Sequence, residues 1–226
     1  MADIMDAFPL VQNLEIQRTD HNVDISDHAI IHVFDAPPEI LEYNKKLVDL
    51  INKNDAQGVG GVDSINAKIT KFTGWKSFEH FEFQIIMEWA GFLASLVSHE
   101  RFAIDITPVY THCWGMKYEK DDYSPAHGHF PSLWSWVYYP FIEDSATAAP
   151  LQFPRSLKTM MNLDSDALDE NRILNDIALS IPAKTGKLIM FQSHIYHQVP
   201  KCKNSKLRYV LAGNLTNDHT IDVNQY

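Results

Sequence analysis

The sequence predicts a β-sandwich or jelly roll with helices packed on one face. Three observations carry that prediction. Two helical segments precede residue 100, a series of short β-branched and aromatic runs separated by turn clusters follows it, and neither a repeat nor a low-complexity linker divides the chain. A chain of 226 residues, 45% hydrophobic, lies within what one core supports. One domain over 1–226 is expected, with a helical support over about 1–100 and a β core over about 101–226.

The first element is "PPEILEYNKKLVDLINKND", which opens on proline where a first helical turn tolerates it. Leu47, Val48, Leu50 and Ile51 follow as an apolar stripe near helical spacing, so an amphipathic helix is expected. "QGVGGVDS" is glycine-rich but lacks a following GK[ST], and reads as a flexible connection. Residues 78 to 99 read as a second, largely buried helix. From "FAIDITPVYTHCWGMKYEK" onward the strand candidates are "SLWSWVYYPF", "PLQFP", "ALSIPA", "GKLIMFQS" and "LRYVLAGNL". Between two of them, residues 142 to 180 are rich in acids and turn formers, where a lid or substrate-binding hairpin, or a plain surface loop, would sit.

Charge and cysteine content narrow the function classes. A formal net charge of −10 argues against docking on nucleic acid or anionic lipid by bulk electrostatics, and favours a small-molecule or protein substrate. Cys113 and Cys202 are far apart with no CxxC, which supports neither a disulfide framework nor a thiolate zinc site, so a reducing cytoplasm is the expected location. The opening "MADIMDAFPLVQNLEIQRTD" is acidic where a signal peptide is basic. "FEFQIIMEWAGFLASLVSH" is the most apolar stretch, but Glu82 and Glu88 interrupt it short of a membrane span. A soluble protein is expected.

Chemistry concentrates in "SPAHGHFPSLWSWVYYP". His127 and His129 are two residues apart, so on an extended segment both imidazoles face one side at a separation that can grip one metal ion. Alone, the pair reads better as two exposed loop histidines after Pro125 and Gly128, so a third element is needed. A third element comes late, in "GKLIMFQSHIYHQVPKCKNSKLRYVLAGNL", where a strand runs into His194 and His197 and a further apolar strand carries Arg208. An arginine there is costly unless it meets an anion.

In these residues the chain resembles the iron(II)- and 2-oxoglutarate-dependent dioxygenases, and within them a subgroup with an HxH, then His, then Arg core. That subgroup reads HxHPxxxLSGVYY, then a glycine-led strand ending FPSWLxHxVxP, then ExRISxxFN. His127, His129, Ser135, Val137, Tyr138 and Tyr139 fall on the first block, Gly186, Phe191, Ser193, His197, Val199 and Pro200 on the second, and Arg208 and Asn214 on the third. "WGMKYEKDDYSPAHGH" resembles the lead-in of the wider superfamily, with a tyrosine about ten residues before the first ligand. The resemblance spans roughly residues 108 to 216.

It implies a double-stranded β-helix with an N-terminal helical layer, and an enzyme that hydroxylates an unidentified substrate with O2 while 2-oxoglutarate becomes succinate and CO2. By the same resemblance His127, His129 and His197 are the iron ligands, Arg208 clamps the far carboxylate of 2-oxoglutarate, and Tyr118 and Tyr139 donate hydroxyls to it. For each tyrosine core packing with a satisfied hydroxyl is the competing reading. The sequence departs from the wider superfamily where His129 stands in place of Asp or Glu, and no acid lies between 123 and 142 to replace it. Three neutral imidazoles leave the ion its full charge, which a dianionic keto acid would neutralise. The second departure is His194, where the subgroup carries tryptophan. On a strand it would face away from His197, and a pocket-lining or supporting place is expected for it over a bystander's.

Tyr138 is expected to be structural, Trp114, Trp134 and Trp136 to be core, with Trp134 close enough to the ligands to shape a pocket. His21, His28 and His32, among Asp20, Asp24, Asp27 and Asp35, lack a shared face and read as solvated surface. Two other readings stay open: a three-histidine metal oxygenase that does not use 2-oxoglutarate, and a catalytically silent jelly-roll binding or structural protein.

Overall fold

The computed structural model describes residues 8–11, 13–23, 29–55, 68–69, 79–155, 177–203 and 206–218. Among these residues, eleven strands and three helices run in the order β1 (Gln17–Asn22), β2 (Ile30–Asp35), α1 (Pro38–Leu41), α2 (Asn44–Asp55), β3 (Lys68–Ile69), α3 (Phe81–Phe102), β4 (Pro108–Tyr118), β5 (Ser124–His127), β6 (Trp134–Ile142), β7 (Leu151–Pro154), β8 (Ile177–Ile181), β9 (Lys187–Gln192), β10 (His197–Val199) and β11 (Arg208–Asn217). A seven-stranded sheet has the order β1-β2-β9-β6-β11-β4-β3, and faces a four-stranded sheet ordered β5-β10-β7-β8. The strand pairs are antiparallel. Two antiparallel sheets with helices on one outer face are the jelly-roll architecture that the residue pattern predicts.

Alternation along the central strands divides the interior in two. Trp134, Trp136 and Tyr138 of β6, Leu188 and Met190 of β9, and Tyr209 and Leu211 of β11 point outward and pack under the helices with Leu47, Ile51, Phe83, Trp89 and Leu93. Val137 and Tyr139, Ile189 and Phe191, and Val210 and Ala212 point inward, toward Leu151, Phe153 and Val199 of the smaller sheet. These strands are buried on both faces, which is why they read as nearly continuous apolar runs. The larger sheet therefore serves as a floor under the space between the sheets.

The helices fit their places for local reasons. The amphipathic segment expected over 37–55 is broken into α1 and α2 at Glu42 and Tyr43, but Leu47 and Ile51, four residues apart on α2, are fully buried as the stripe requires. Helix α3 buries residues round most of its circumference, so no single face dominates. Its Glu88 is accommodated because Oε1 accepts the Leu10 backbone N–H at 2.8 Å. It ends at Ala103 in the left-handed region, φ 52°. Among the described residues no helix is long and apolar enough to cross a membrane.

Two strands lie inside the stretch read as helical support. β1 is polar throughout and half-exposed at the sheet edge, so it carries no apolar alternation to detect. Its partner β2 pairs Asp20 with His32, and Asp20 Oδ1 meets His32 Nδ1 at 2.7 Å. His32 is only 1% exposed, which corrects its reading as solvated surface. Asp20 also takes Arg18 and Arg101, tying β1 to α3. His21 is half-buried on β1, whereas His28 and the loop "QGVGGVDS" fall outside the described residues, as do 156–176 of the acidic insertion.

Gly213 marks the tightest approach of β11 to β6. A Cβ there would lie 2.6 Å from Cζ2 of Trp136, a ring fully buried under the helices. Gly213→Val is expected to destabilise the fold by about 1–3 kcal/mol through overpacking, read as a lower denaturant midpoint at unchanged slope.

Candidate functional site

The antiparallel pairing of β5 with β10 sets His127 directly opposite His197. β5 ends at His127, and the chain then turns through Gly128 so that the His129 N–H donates to the Ser193 carbonyl at 2.8 Å. That bond returns His129 to the same place. The imidazole centroids of His127 and His197 are 4.4 Å apart, those of His127 and His129 4.9 Å, and those of His129 and His197 5.1 Å. One ring nitrogen from each lies within 4.8 Å of the others, so a single ion could be held by all three.

The protonation pattern suits a metal. His127 Nδ1 meets the Pro125 carbonyl at 2.7 Å, and His197 Nδ1 meets the Ile195 carbonyl at 3.2 Å. A carbonyl only accepts, so each Nδ1 carries the hydrogen and each Nε2 keeps its lone pair. Such fixing of the tautomer by a bond to the second ring nitrogen is how metal-binding histidines are held. Burial pushes the His127 pKa down, and burial followed by the His127 and His129 rings pushes that of His197 well down. Both are neutral donors around neutral pH.

The triad lines a small cavity between the two sheets. Arg208 is on its wall. The guanidinium is 2% exposed, with Nη2 donating to the Tyr139 hydroxyl at 3.3 Å and its carbon 4.7 Å from the Tyr118 ring centroid and 5.2 Å from that of Tyr139. Nε and Nη1 are buried with no hydrogen-bond partner among the described residues, and no carboxylate there pairs with it. A buried cation with two orphaned donors is costly as it stands. A carboxylate entering the cavity could accept from an unsatisfied guanidinium N–H and pair with the charge, so the residues present fit a diacid such as 2-oxoglutarate.

Tyr118 lines the cavity beside Arg208, its hydroxyl 2.6 Å from Ser124 Oγ, and Tyr139 stands behind the guanidinium. Desolvation by burial, the largest cause, raises the Tyr118 pKa, so its hydroxyl stays a donor. Ser124 and His127 are the two ends of β5, about 10 Å apart at ~3.3 Å per residue, which sets the Arg208 end of the cavity off from the triad.

Other expected residues are elsewhere. His194 is exposed on the turn between β9 and β10 and does not line the cavity, which corrects its supporting role: the turn carries it outward while His197 re-enters the sheet. Trp134 faces the helices, its Nε1 donating to Ser98 Oγ at 2.9 Å, so it shapes no pocket. Trp114 takes that place, with its ring centroid 5.7 Å from that of His129. Tyr138 is under the helices, its hydroxyl donating to Asn44 Oδ1 at 2.6 Å. Sequence reading gave no role to Ser124, or to the contact of Phe191 with His197, 4.6 Å between centroids. The alternation of β6 was the available signal for Trp134, since it places Ser135, not Trp134, on the inner face.

In the metal-free protein the lowered histidine pKa values carry a stability consequence. The unfolded chain takes up protons near the ordinary value of 6.5, and the folded triad takes them up only at lower pH. Stability conferred by the neutral form is complete above 6.5 and is lost as pH falls below it. Thermal scans from pH 7.5 to 5 on metal-stripped protein are expected to show a falling midpoint that flattens in the His127→Phe/His197→Phe double variant.

Residues 112–214 match the family model described as "Putative 2OG-Fe(II) oxygenase". No curated protein matches the chain in sequence. Among solved structures, the viral collagen prolyl hydroxylase of Paramecium Bursaria Chlorella virus-1 is 14% identical with a TM-score of 0.52, covering 82% of this chain and 94% of its own. The Trichoplax adhaerens prolyl hydroxylase, in complex with a hypoxia inducible factor peptide fragment, is 16% identical at a TM-score of 0.56, covering 84% of each chain. HygX from Streptomyces hygroscopicus, with nickel and 2-oxoglutarate bound, is 7% identical at 0.58, covering 83% of each. These likenesses carry the fold, a double-stranded β-helix, and the match over 112–214 carries the chemistry. The match over 112–214, a little under half of the chain, points to an iron(II)- and 2-oxoglutarate-dependent oxygenase, an enzyme.

Proposed function

We propose that the chain hydroxylates an organic substrate, with His127, His129 and His197 holding the iron and Arg208 holding the far carboxylate of 2-oxoglutarate. The observation that carries this reading is the Arg208 guanidinium, buried in the same cavity as the triad with Nε and Nη1 unsatisfied. When bound, iron and keto acid supply the oxidising power: substrate, O2 and 2-oxoglutarate give hydroxylated substrate, succinate and CO2.

The protein's own residues bind, orient and exclude. Arg208 offers a charge-assisted fork in a dry wall, and the Tyr118 hydroxyl, which accepts from Ser124 and lies 3.5 Å from Met116 Sδ, would turn its one hydrogen from that weak sulfur acceptor to the ligand at the same end. Tyr139 fixes the guanidinium through its Nη2 bond rather than facing the cavity. Three neutral imidazoles put no negative charge on the metal, so the keto acid supplies the neutralising charge. Trp114, Phe191 and Val210 keep the space around the triad apolar, which limits water at the metal. Two of the similar structures are prolyl hydroxylases, one of them in complex with a peptide fragment, so a protein substrate suits the core alongside a small molecule. A cytoplasmic location accords with Cys113 and Cys202, which form no disulfide.

Two variants test this reading. His197→Ala is expected to abolish stoichiometric binding of one divalent ion per chain; unchanged stoichiometry would remove His197 from the ligand set. Arg208→Met keeps the packing of the stem but loses a charged pair worth about 2–5 kcal/mol once the ligand is bound, so calorimetric affinity for 2-oxoglutarate should fall roughly thirtyfold to a few thousandfold. Its melting temperature is expected to hold or rise, because no partner carboxylate is stranded. A large drop in melting temperature with unchanged affinity would instead mark Arg208 as structural.

A further inference from the structure

The Arg208 end of the cavity holds a small polar device. Tyr118 ends β4 and Ser124 opens β5, and the chain turns between them so that their hydroxyl oxygens lie 2.6 Å apart. Met116, two residues earlier on the same face of β4, sets its sulfur 3.5 Å from the Tyr118 hydroxyl. All three side chains line the cavity, with Tyr118 1% and Ser124 3% exposed. Ser124 shares its strand with His127, so β5 carries both a member of the triad and the partner of Tyr118.

Counting hydrogens fixes the direction of each bond. Tyr118 and Ser124 have one hydroxyl hydrogen apiece. Were Tyr118 to donate to Ser124, the buried Ser124 hydrogen would have no acceptor among the described residues, and the Met116 sulfur would be idle. With Ser124 donating to Tyr118, both hydrogens are used, the second on Met116 Sδ. Leaving a buried donor unmatched is the costlier choice, so Ser124 is the donor. The thioether is a weak acceptor. It also lies toward the triad, because β4 runs from Trp114, beside His129, to Tyr118, opposite Arg208. The Tyr118 hydrogen is therefore aimed along the floor of the cavity, on a partner that a carboxylate oxygen would displace.

We infer that Ser124 is a positioning residue that fixes the Tyr118 hydroxyl as a donor, and so makes this end of the cavity select a carboxylate terminus against an otherwise equal carboxamide. This rests on the reading that Arg208 and Tyr118 take the far end of the keto acid. Ser124 occupies the Tyr118 oxygen, and Arg208 can only donate, so an amide NH2 placed there meets hydrogens rather than lone pairs. No carboxylate among the described residues lining the cavity could receive it instead. Met116 keeps the Tyr118 hydrogen satisfied until a ligand arrives.

The test is calorimetry on manganese(II)-loaded full-length protein with three ligands: 2-oxoglutarate, N-oxalylglycine, in which N–H replaces the C3 methylene, and the terminal amide of N-oxalylglycine. The wild type should bind N-oxalylglycine at least about a hundredfold more tightly than its amide. Ser124→Ala frees the Tyr118 hydroxyl to accept. It should weaken both diacids by about three- to tenfold and narrow the acid-to-amide ratio by at least as much. Ser124→Cys, a near-isosteric weak donor, should fall between the two. On a Tyr118→Phe background Ser124→Ala should change the ratio no further, which separates positioning through Tyr118 from direct contact with the ligand. Met116→Leu, which removes only the holding acceptor, should leave the ratio intact. An unchanged ratio in Ser124→Ala, or its full effect persisting on the Tyr118→Phe background, overturns the inference. If Arg208→Met abolishes the preference for the acid while Ser124→Ala does not touch it, this inference alone falls. If neither variant alters the preference, the reading of Arg208 falls as well.

Discussion

The site depends on one pairing of two short strands. β5 and β10 have four and three residues, and their antiparallel register sets His127 opposite His197 across a sequence gap of seventy residues. Neither strand would persist alone. Each is held because the smaller sheet packs its inner face on the larger one, with Phe153 and Val199 meeting Phe191 and Val210 in the shared core. A one-residue slip of β10 would turn His197 outward and bring Gln198 inward. The burial of Val199 and Ile195 on the same side as His197 opposes that slip, so apolar packing rather than the histidines themselves sets the geometry of the triad.

That packing also explains how a cation is tolerated in an apolar strand. Arg208 begins β11, pairs with Tyr118 on one side and Ile142 on the other, and spreads its guanidinium over the rings of Tyr118 and Tyr139. Cation–π contact offsets part of the desolvation cost, each contact contributing ~1–2 kcal/mol when buried. Two N–H groups remain unsatisfied among the described residues, a deficit that binding of a carboxylate would relieve. It is a local violation of polar satisfaction of the kind expected at functional sites.

Much of this was legible in the sequence, and for identifiable reasons. The double-buried strands β6, β9 and β11 are long apolar runs bounded by turn residues, and α3 is a long apolar helix. His127, His129, His197 and Arg208 stood out because histidine pairs and an arginine in such surroundings need partners. What escaped was decided by tertiary context. β1 is polar because it is an edge, and His32 is buried only because β2 lies under α3 and pairs it with Asp20. His194 and His197 are chemically alike, and only the turn after β9 separates the exposed one from the buried one. Asn214 and Ser135 were visible as a pattern, but the hydrogen bond from the Ser135 hydroxyl to the Asn214 amide oxygen needs the β6–β11 register, which pairs them directly.

The central claim is that one ion held by the triad and one carboxylate held by Arg208 are bridged by the same keto acid. Anaerobic titration of the iron(II)-loaded protein with 2-oxoglutarate, followed by visible absorption, reads that bridge directly. A saturable charge-transfer band at one equivalent per iron is the predicted result. Tight binding of both iron and 2-oxoglutarate with no such band would contradict it, because the two would then occupy separate sites.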